Sequence, residues 1–141
     1  MPAPRRPATR AATASLATIR KRRDRVTRIV EGYPESEATD RYENEHRSLE
    51  VGGKRLGYFL VDHFGDDGRS GLTLKAAPGV QETLVEEDPD TFWVPAFVGR
   101  HGWLGIRLDL EEPDWEQVAD FIRDAWLLTA PRRVRNMYEA E

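Results

Sequence analysis

The sequence of 141 residues contains no cysteine and very little lysine. Without cysteine the chain has no disulfides, no thiolate catalysis and no cysteine-based zinc site. Lysine occurs only at Lys21, Lys54 and Lys75, so arginine carries nearly all of the positive charge. No apolar run approaches the ~18 residues that a membrane span requires, and the arginine-rich N-terminus lacks the apolar segment of a secretory signal. We therefore expect a cytoplasmic protein with no membrane contact.

The charge is unevenly distributed along the chain. Residues 1–28 carry a net charge of +8 and residues 29–141 a net charge of −12, which gives −4 overall. A basic extension therefore precedes an acidic domain. Basic extensions bind nucleic acids and anionic surfaces, whereas an acidic domain repels phosphate unless its charges are segregated.

Apolar spacing and turn residues predict a single α+β domain with an antiparallel sheet and helices packed on it. Residues 1–14 lack an apolar period, so the extension 1–25 is expected to be disordered or partly helical. A helix capped by Ser15 ends at Gly32, and we expect only its last two turns to pack on the domain. The predicted order is α-β-β-β-α-β-β-α, with a loop at 34–45, strands at 46–51, 54–64, 72–76, 92–98 and 103–110, and helices at 79–88 and from 112 to Pro131.

Turn signals define the predicted hairpins. Gly52-Gly53 is a two-residue turn signal, since both residues accept positive φ. In the strand that follows, Leu56, Tyr58 and Leu60 are expected on one face. A turn is predicted at 65–71, and Pro95 favours an edge position for its strand. Six large aromatics are expected in the core rather than on a surface that stacks bases: Phe92, Trp93, Phe97, Trp103, Trp115 and Trp126.

Several segments resemble the MmcQ/YjbR-like family in order and spacing. They are HRSLEVGGKRLGYF at 46–59, LTLKAAP at 72–78, VPAFVGRHGWLGIRLD at 94–109, and DWEQVADFIRDAWLLTAPRR at 114–133. The resemblance spans about 26–133, leaving residues 134–141 as a tail. It implies a compact α+β domain of the type called a DNA-binding double wing, although a fold does not by itself establish a function.

Two non-enzymatic functions fit this chain. The first is DNA binding, in which the basic extension supplies charge and the hairpin loops position the duplex. The candidate contacts are Arg20, Lys21, Arg22, Arg23, Arg25, Lys54, Arg55, Lys75, Arg100 and His101. The second is a module that binds a protein or a small ligand, with the acidic domain facing a basic partner. The run RKRRDR at 20–25 equally fits a solvated helix end or an arm that folds back on its own domain.

No reaction follows from the sequence. His101 lies in GRHG, which reads as a hairpin turn whose Arg and His face solvent, and no orienting partner or nucleophile is evident for it. The three histidines show no metal-ligand spacing, and Gly52-Gly53-Lys54 lacks the rest of a phosphate-binding loop. We expect no catalytic residue, no metal and no cofactor.

Overall fold

The computed structural model describes residues 10–40, 45–61 and 69–139, so most of the predicted turn at 65–71 lies outside the described residues. The helices are α1 (Leu16–Glu31), α2 (Val80–Glu87), α3 (Trp115–Thr129) and α4 (Arg132–Glu139), with a short 3-10 helix at Val98–His101. The strands are β1 (Ser36–Asp40), β2 (Arg47–Val51), β3 (Lys54–Leu60), β4 (Gly71–Leu74), β5 (Phe92–Trp93) and β6 (Leu104–Arg107).

The six strands form one antiparallel sheet in the order β1-β2-β3-β4-β6-β5. The predicted α+β class is confirmed, and β5 lies at an edge, as Pro95 indicated. The predicted loop at 34–45 is wrong, because Ser36–Asp40 pairs with β2 from Ser36↔Val51 to Asp40↔Arg47. This edge strand is polar and no more than half-buried, so it lacks the alternation of a half-buried strand.

The core lies between one face of the sheet and the helices. Side chains from four adjacent strands point into it at Leu49, Phe59, Leu72 and Ile106. Opposite them lie apolar residues of α1 and α3, including Val26, Val30, Ile122 and Trp126. The helix α2 lies beside α3, with Val80 and Phe121 lining one cleft together with Leu74 and Leu104 of the sheet.

The N-terminal helix packs along more of its length than predicted. Ser15 caps it by accepting a hydrogen bond from the Thr18 N–H, as expected. However, Ile19 and Arg22 in its first half are already buried, so the expectation that only the last two turns pack is wrong. At the other end of the chain, α4 was not predicted, and its Val134 is fully buried. Both terminal helices are therefore parts of the folded domain.

The segment between β5 and β6 differs from the predicted hairpin. The expected strand at 92–98 ends at Trp93, and the strand expected at 103–110 covers only Leu104–Arg107. Residues 99–101 form the last part of the 3-10 helix, and Gly102 caps its end with a φ of 85°. Arg100 and His101 face solvent, as expected.

Candidate nucleic-acid interface

One face of the sheet carries no described helix. Its central row crosses five strands, because the strand register places Ser48, Tyr58, Thr73, Gly105 and Trp93 side by side. Successive residues of a strand point to opposite faces, so this row lies away from the core residues Phe59, Leu72 and Ile106. We call this side of the sheet the helix-free face; Ser48, Thr73, Gly105 and Trp93 on it are buried, and Tyr58 is half-buried.

A bulge brings Arg55 and Tyr58 to the helix-free face together. Glu50 pairs with Arg55 and Leu49 with Gly57, so Leu56 is an extra residue in β3. The predicted common face of Leu56, Tyr58 and Leu60 is therefore wrong, since Leu56 is completely buried and Tyr58 is half-buried. A bulge inserts one unpaired residue and redirects the side chains that follow.

The guanidinium of Arg55 and the ring of Tyr58 form a cation–π pair. The Arg55 Cζ lies 5.2 Å from the ring centroid, and Arg55 Nη1 donates a 2.6 Å hydrogen bond to Tyr58 Oη. The Tyr58 ring also neighbours Trp103, with ring centroids 6.3 Å apart and planes inclined by 32°. Aromatic pairs are favourable at this separation, so the two rings form a defined platform.

A cleft of about 420 Å³ adjoins this platform and collects two of the predicted contacts. Lys75, Ala76, His101, Trp103 and Leu128 line it. Lys75 follows β4 and Trp103 precedes β6, and the pairing of Leu74 with Leu104 places them side by side. The fold therefore joins Lys75 and His101, which are 26 positions apart in the sequence, around an aromatic ring.

The other predicted loop cations lie farther out. Lys54 is exposed at the Gly52-Gly53 turn, next to the half-buried Arg55. Arg100 is exposed on the 3-10 helix and lines a different cleft, between that helix and α2. On the helix-free face a carboxylate accompanies these cations, because Glu50 accepts a hydrogen bond from the Ser48 hydroxyl at 2.9 Å. Its presence reduces the positive charge around Arg55.

Four of the five predicted cations in α1 are engaged within the protein. Arg20 pairs with Glu45 at 2.5 Å. Arg22 donates through Nη1 to the carbonyls of Leu108 at 2.9 Å and Leu110 at 2.7 Å. Arg23 donates a hydrogen bond to the Glu45 carbonyl at 3.4 Å. The Arg25 guanidinium lies over the Trp115 ring, 4.2 Å from its centroid. Lys21 is exposed, and no described residue forms an ion pair with it.

The buried position of Arg22 explains why the basic run folds back. The Arg22 side chain is 10% exposed, so its guanidinium N–H groups require partners within the protein, and the chain after β6 supplies two carbonyls. Of the two interpretations of the RKRRDR run, the structure agrees with an arm that lies on its own domain. This placement favours a structural role for α1.

The predicted core position is confirmed for three of the six aromatics, and Trp103 instead lies on the platform with Tyr58. Phe92, Trp93 and Trp126 are buried, whereas Trp103 and Trp115 are half-buried. The prediction is wrong for Phe97, which is 90% exposed. Neither Tyr58 nor Trp103 was a predicted site residue, because their position next to Arg55 depends on the bulge in β3, which arises from strand pairing.

The described residues lack the features of two other classes of site. Within 10–40, 45–61 and 69–139, no group of three histidine, aspartate or glutamate side chains is placed to hold a metal ion. No helix in the same ranges has the length and apolar character needed to cross a lipid bilayer.

The fold and this site define a class of protein: a small α+β domain with a helical layer on one face of an antiparallel sheet. On the other face lies an aromatic, cationic strip made of Arg55, Tyr58, Lys75 and Trp103. The chain belongs to the YjbR family, whose model matches residues 31–128. Neither the curated proteins nor the solved structures yielded a match. The strip lies entirely within the matched region, while nearly all of α1 and all of α4 lie outside it.

Proposed function

We propose that this YjbR-family domain is a non-enzymatic, cytoplasmic DNA-binding module that holds single-stranded DNA at the half-buried Tyr58–Trp103 end of the helix-free face. The observation that carries the proposal is the Tyr58–Trp103 pair with Arg55 and Lys75 beside it. Proteins that bind single strands combine aromatic rings, on which bases stack, with cations that follow the phosphates. This strip has both components.

In this mode DNA binds at the sheet and not at the basic extension. If a phosphate displaced Glu45, Arg20 would only exchange one anionic partner for another. At Arg22, a phosphate would have to replace two backbone carbonyls as hydrogen-bond acceptors. Lys75 and His101 instead line a cleft, and Lys54 is exposed at the turn between β2 and β3. Phosphate contact at these side chains requires no unfolding of a helix.

A single strand fits the strip better than a duplex does. The paired bases of a duplex hide their faces, so stacking on Tyr58 or Trp103 requires unpaired bases. The net charge of −12 on residues 29–141 also disfavours the long phosphate array of a duplex. The sequence preference should be weak, because every base has a face to stack.

Fluorescence anisotropy with a labelled 12-nucleotide thymidine oligomer in ~50 mM salt tests the proposal. Trp103→Leu should weaken binding by about 10- to 100-fold, the usual effect of losing one base–aromatic stack. Lys75→Gln should weaken it several-fold, whereas Lys21→Gln removes the same charge from α1 and should leave it unchanged. Circular dichroism verifies that each variant is folded.

Three results would contradict the proposal. They are no binding of the oligomer by the wild-type protein, equal losses in the Lys75 and Lys21 variants, or tighter binding of a duplex of the same length than of the single strand. Tighter binding of the duplex would indicate that the loops contact a groove of the DNA and that the rings do not stack on bases.

A further inference from the structure

Phe97 has an unusual backbone conformation that directs its ring into solvent. Its φ and ψ are 63° and −60°, and the Val98 N–H donates a 2.7 Å hydrogen bond to the Ala96 carbonyl. These values define a γ-turn with positive φ, a rare and strained conformation, here centred on a bulky side chain. The ring is 90% exposed, so burial of the ring does not offset the strain.

The surrounding loop is held firmly enough to maintain this turn. Gln81 of α2 is buried, and its Nε2 donates to the carbonyls of Gly99 at 2.8 Å and Trp103 at 2.6 Å. The Gly99 N–H donates to the Pro95 carbonyl at 2.9 Å. A Cβ on Gly99 would lie 2.5 Å from a methyl group of Val94, so this backbone packs closely. Strain maintained by its surroundings is typical of functional sites.

A cleft of about 700 Å³ lies beside the exposed ring. Its walls include the apolar side chains of Val85, Val94 and Pro95. Glu82 and Glu86 line it from α2, and Arg100 is the one cation among its lining residues. The cleft and the ring together form a surface with an apolar centre and a charged border, as protein-binding sites commonly have.

The border is strongly acidic. Residues 76–99 contain five carboxylates, Glu82, Glu86, Glu87, Asp88 and Asp90, and neither lysine nor arginine. All five residues are exposed. A surface of this charge attracts cationic segments and repels nucleic acid and acidic partners. It therefore differs in its preferred partner from the helix-free face.

We propose that Phe97, the adjoining cleft and the acidic side of α2 form a preformed docking site for a cationic protein segment that also carries apolar side chains. Phe97 is the anchor, because a rigid exposed aromatic contributes contact area with little entropy to lose. The carboxylates of Glu82 and Glu86 pair with lysines or arginines of the partner. This docking site is independent of the DNA proposal and shares none of the residues of the strip.

An 18-residue peptide of lysine and leucine, spaced to form an amphipathic helix, is the probe for this site. Isothermal titration calorimetry with the full chain should show binding, which Phe97→Ala weakens by about 30-fold, as for an aromatic hot spot. The double variant Glu82→Gln, Glu86→Gln should weaken it several-fold and reduce its salt dependence. The matched control Leu16→Ala trims another exposed apolar side chain on α1 and should change nothing.

Stability separates docking from a structural role. Phe97→Gly relieves the γ-turn, so its thermal midpoint should stay the same or rise while peptide affinity falls. The proposal is overturned if the Phe97 variants bind the peptide as wild type does, or if a glutamate–leucine peptide of the same length binds equally well. It is also overturned if sedimentation shows a wild-type dimer that Phe97→Ala dissociates, since the occupant is then a second copy of the chain.

Discussion

Replacing Arg22 tests whether the basic helix is a structural part of the domain. The Arg22 side chain is 10% exposed and donates two hydrogen bonds, to the carbonyls of Leu108 and Leu110. A hydrogen bond from a charged group contributes about 1.5–3 kcal/mol. The ion pair with Glu112 is 3.6 Å long and Glu112 is 72% exposed, so it adds little.

The variant Arg22→Gln removes the charge and shortens the side chain. It leaves at least one buried carbonyl without its donor, so the free energy of unfolding should fall by about 3 kcal/mol. With a urea dependence of about 2 kcal/mol per molar, the unfolding midpoint should fall by about 1.5 M. Lys21→Gln is the matched control, since it removes one exposed positive charge from the adjacent position and should change stability by less than about 0.5 kcal/mol.

Urea unfolding followed by tryptophan fluorescence measures both variants. The reasoning about α1 fails if the two midpoints shift equally, because Arg22 would then be as solvated as Lys21. A second readout separates stability from binding. Below the unfolding transition, Arg22→Gln should bind the thymidine oligomer with wild-type affinity, and a large loss would assign α1 to the DNA interface.

Three further predictions concern packing, pH and salt. Gly105→Ala places a Cβ 2.3 Å from the Trp93 ring and should lower the free energy of unfolding by about 3 kcal/mol. The control Gly53→Ala should lower it by about 1 kcal/mol, because φ is positive there but the space around it is open. Thermal unfolding of the two variants measures the difference. The hydrogen bond from Arg133 lowers the pKa of Glu35. This pair therefore stabilises the fold at pH values above the ordinary pKa of a glutamate, and the stabilisation is lost as the pH falls through the lowered pKa. In a carbon-13 titration, Arg133→Gln should raise the pKa of Glu35, because the hydrogen bond and the positive charge that lower it are removed. Oligomer affinity should fall about 20-fold between 50 and 200 mM salt if about three cations meet phosphates, and a flat salt profile would exclude those contacts.

The sequence predicted the fold well where apolar spacing and turn chemistry agree. The β2–β3 hairpin follows from alternation at Leu49 and Val51 and from Gly52-Gly53, and the structure has both strands there. The end of α1 at Gly32 follows from its terminating glycine, and the last helix begins at Trp115, three residues after the predicted start at 112. Local patterns determine such features because the relevant interactions lie within a few residues.

The missed features depend on contacts between distant segments. β1 is a strand because β2 offers it hydrogen bonds, and its own residues carry no strand period. In the sequence, Arg22 is indistinguishable from the neighbouring arginines. Its structural role depends on hydrogen bonds to the carbonyls of residues 108 and 110, which lie far along the chain. The bulge at Leu56 arises from pairing with β2 and decides that Arg55 and Tyr58 share a face.

Amide chemical-shift mapping tests the location of DNA binding most directly. A nitrogen-15-labelled full-length protein is titrated with the 12-nucleotide thymidine oligomer, and each backbone amide is followed. The account predicts that the largest shifts fall at Tyr58, Lys75 and Trp103, with little change in residues 20–25. Shifts concentrated in residues 20–25, or none above those of a buffer control, would contradict it.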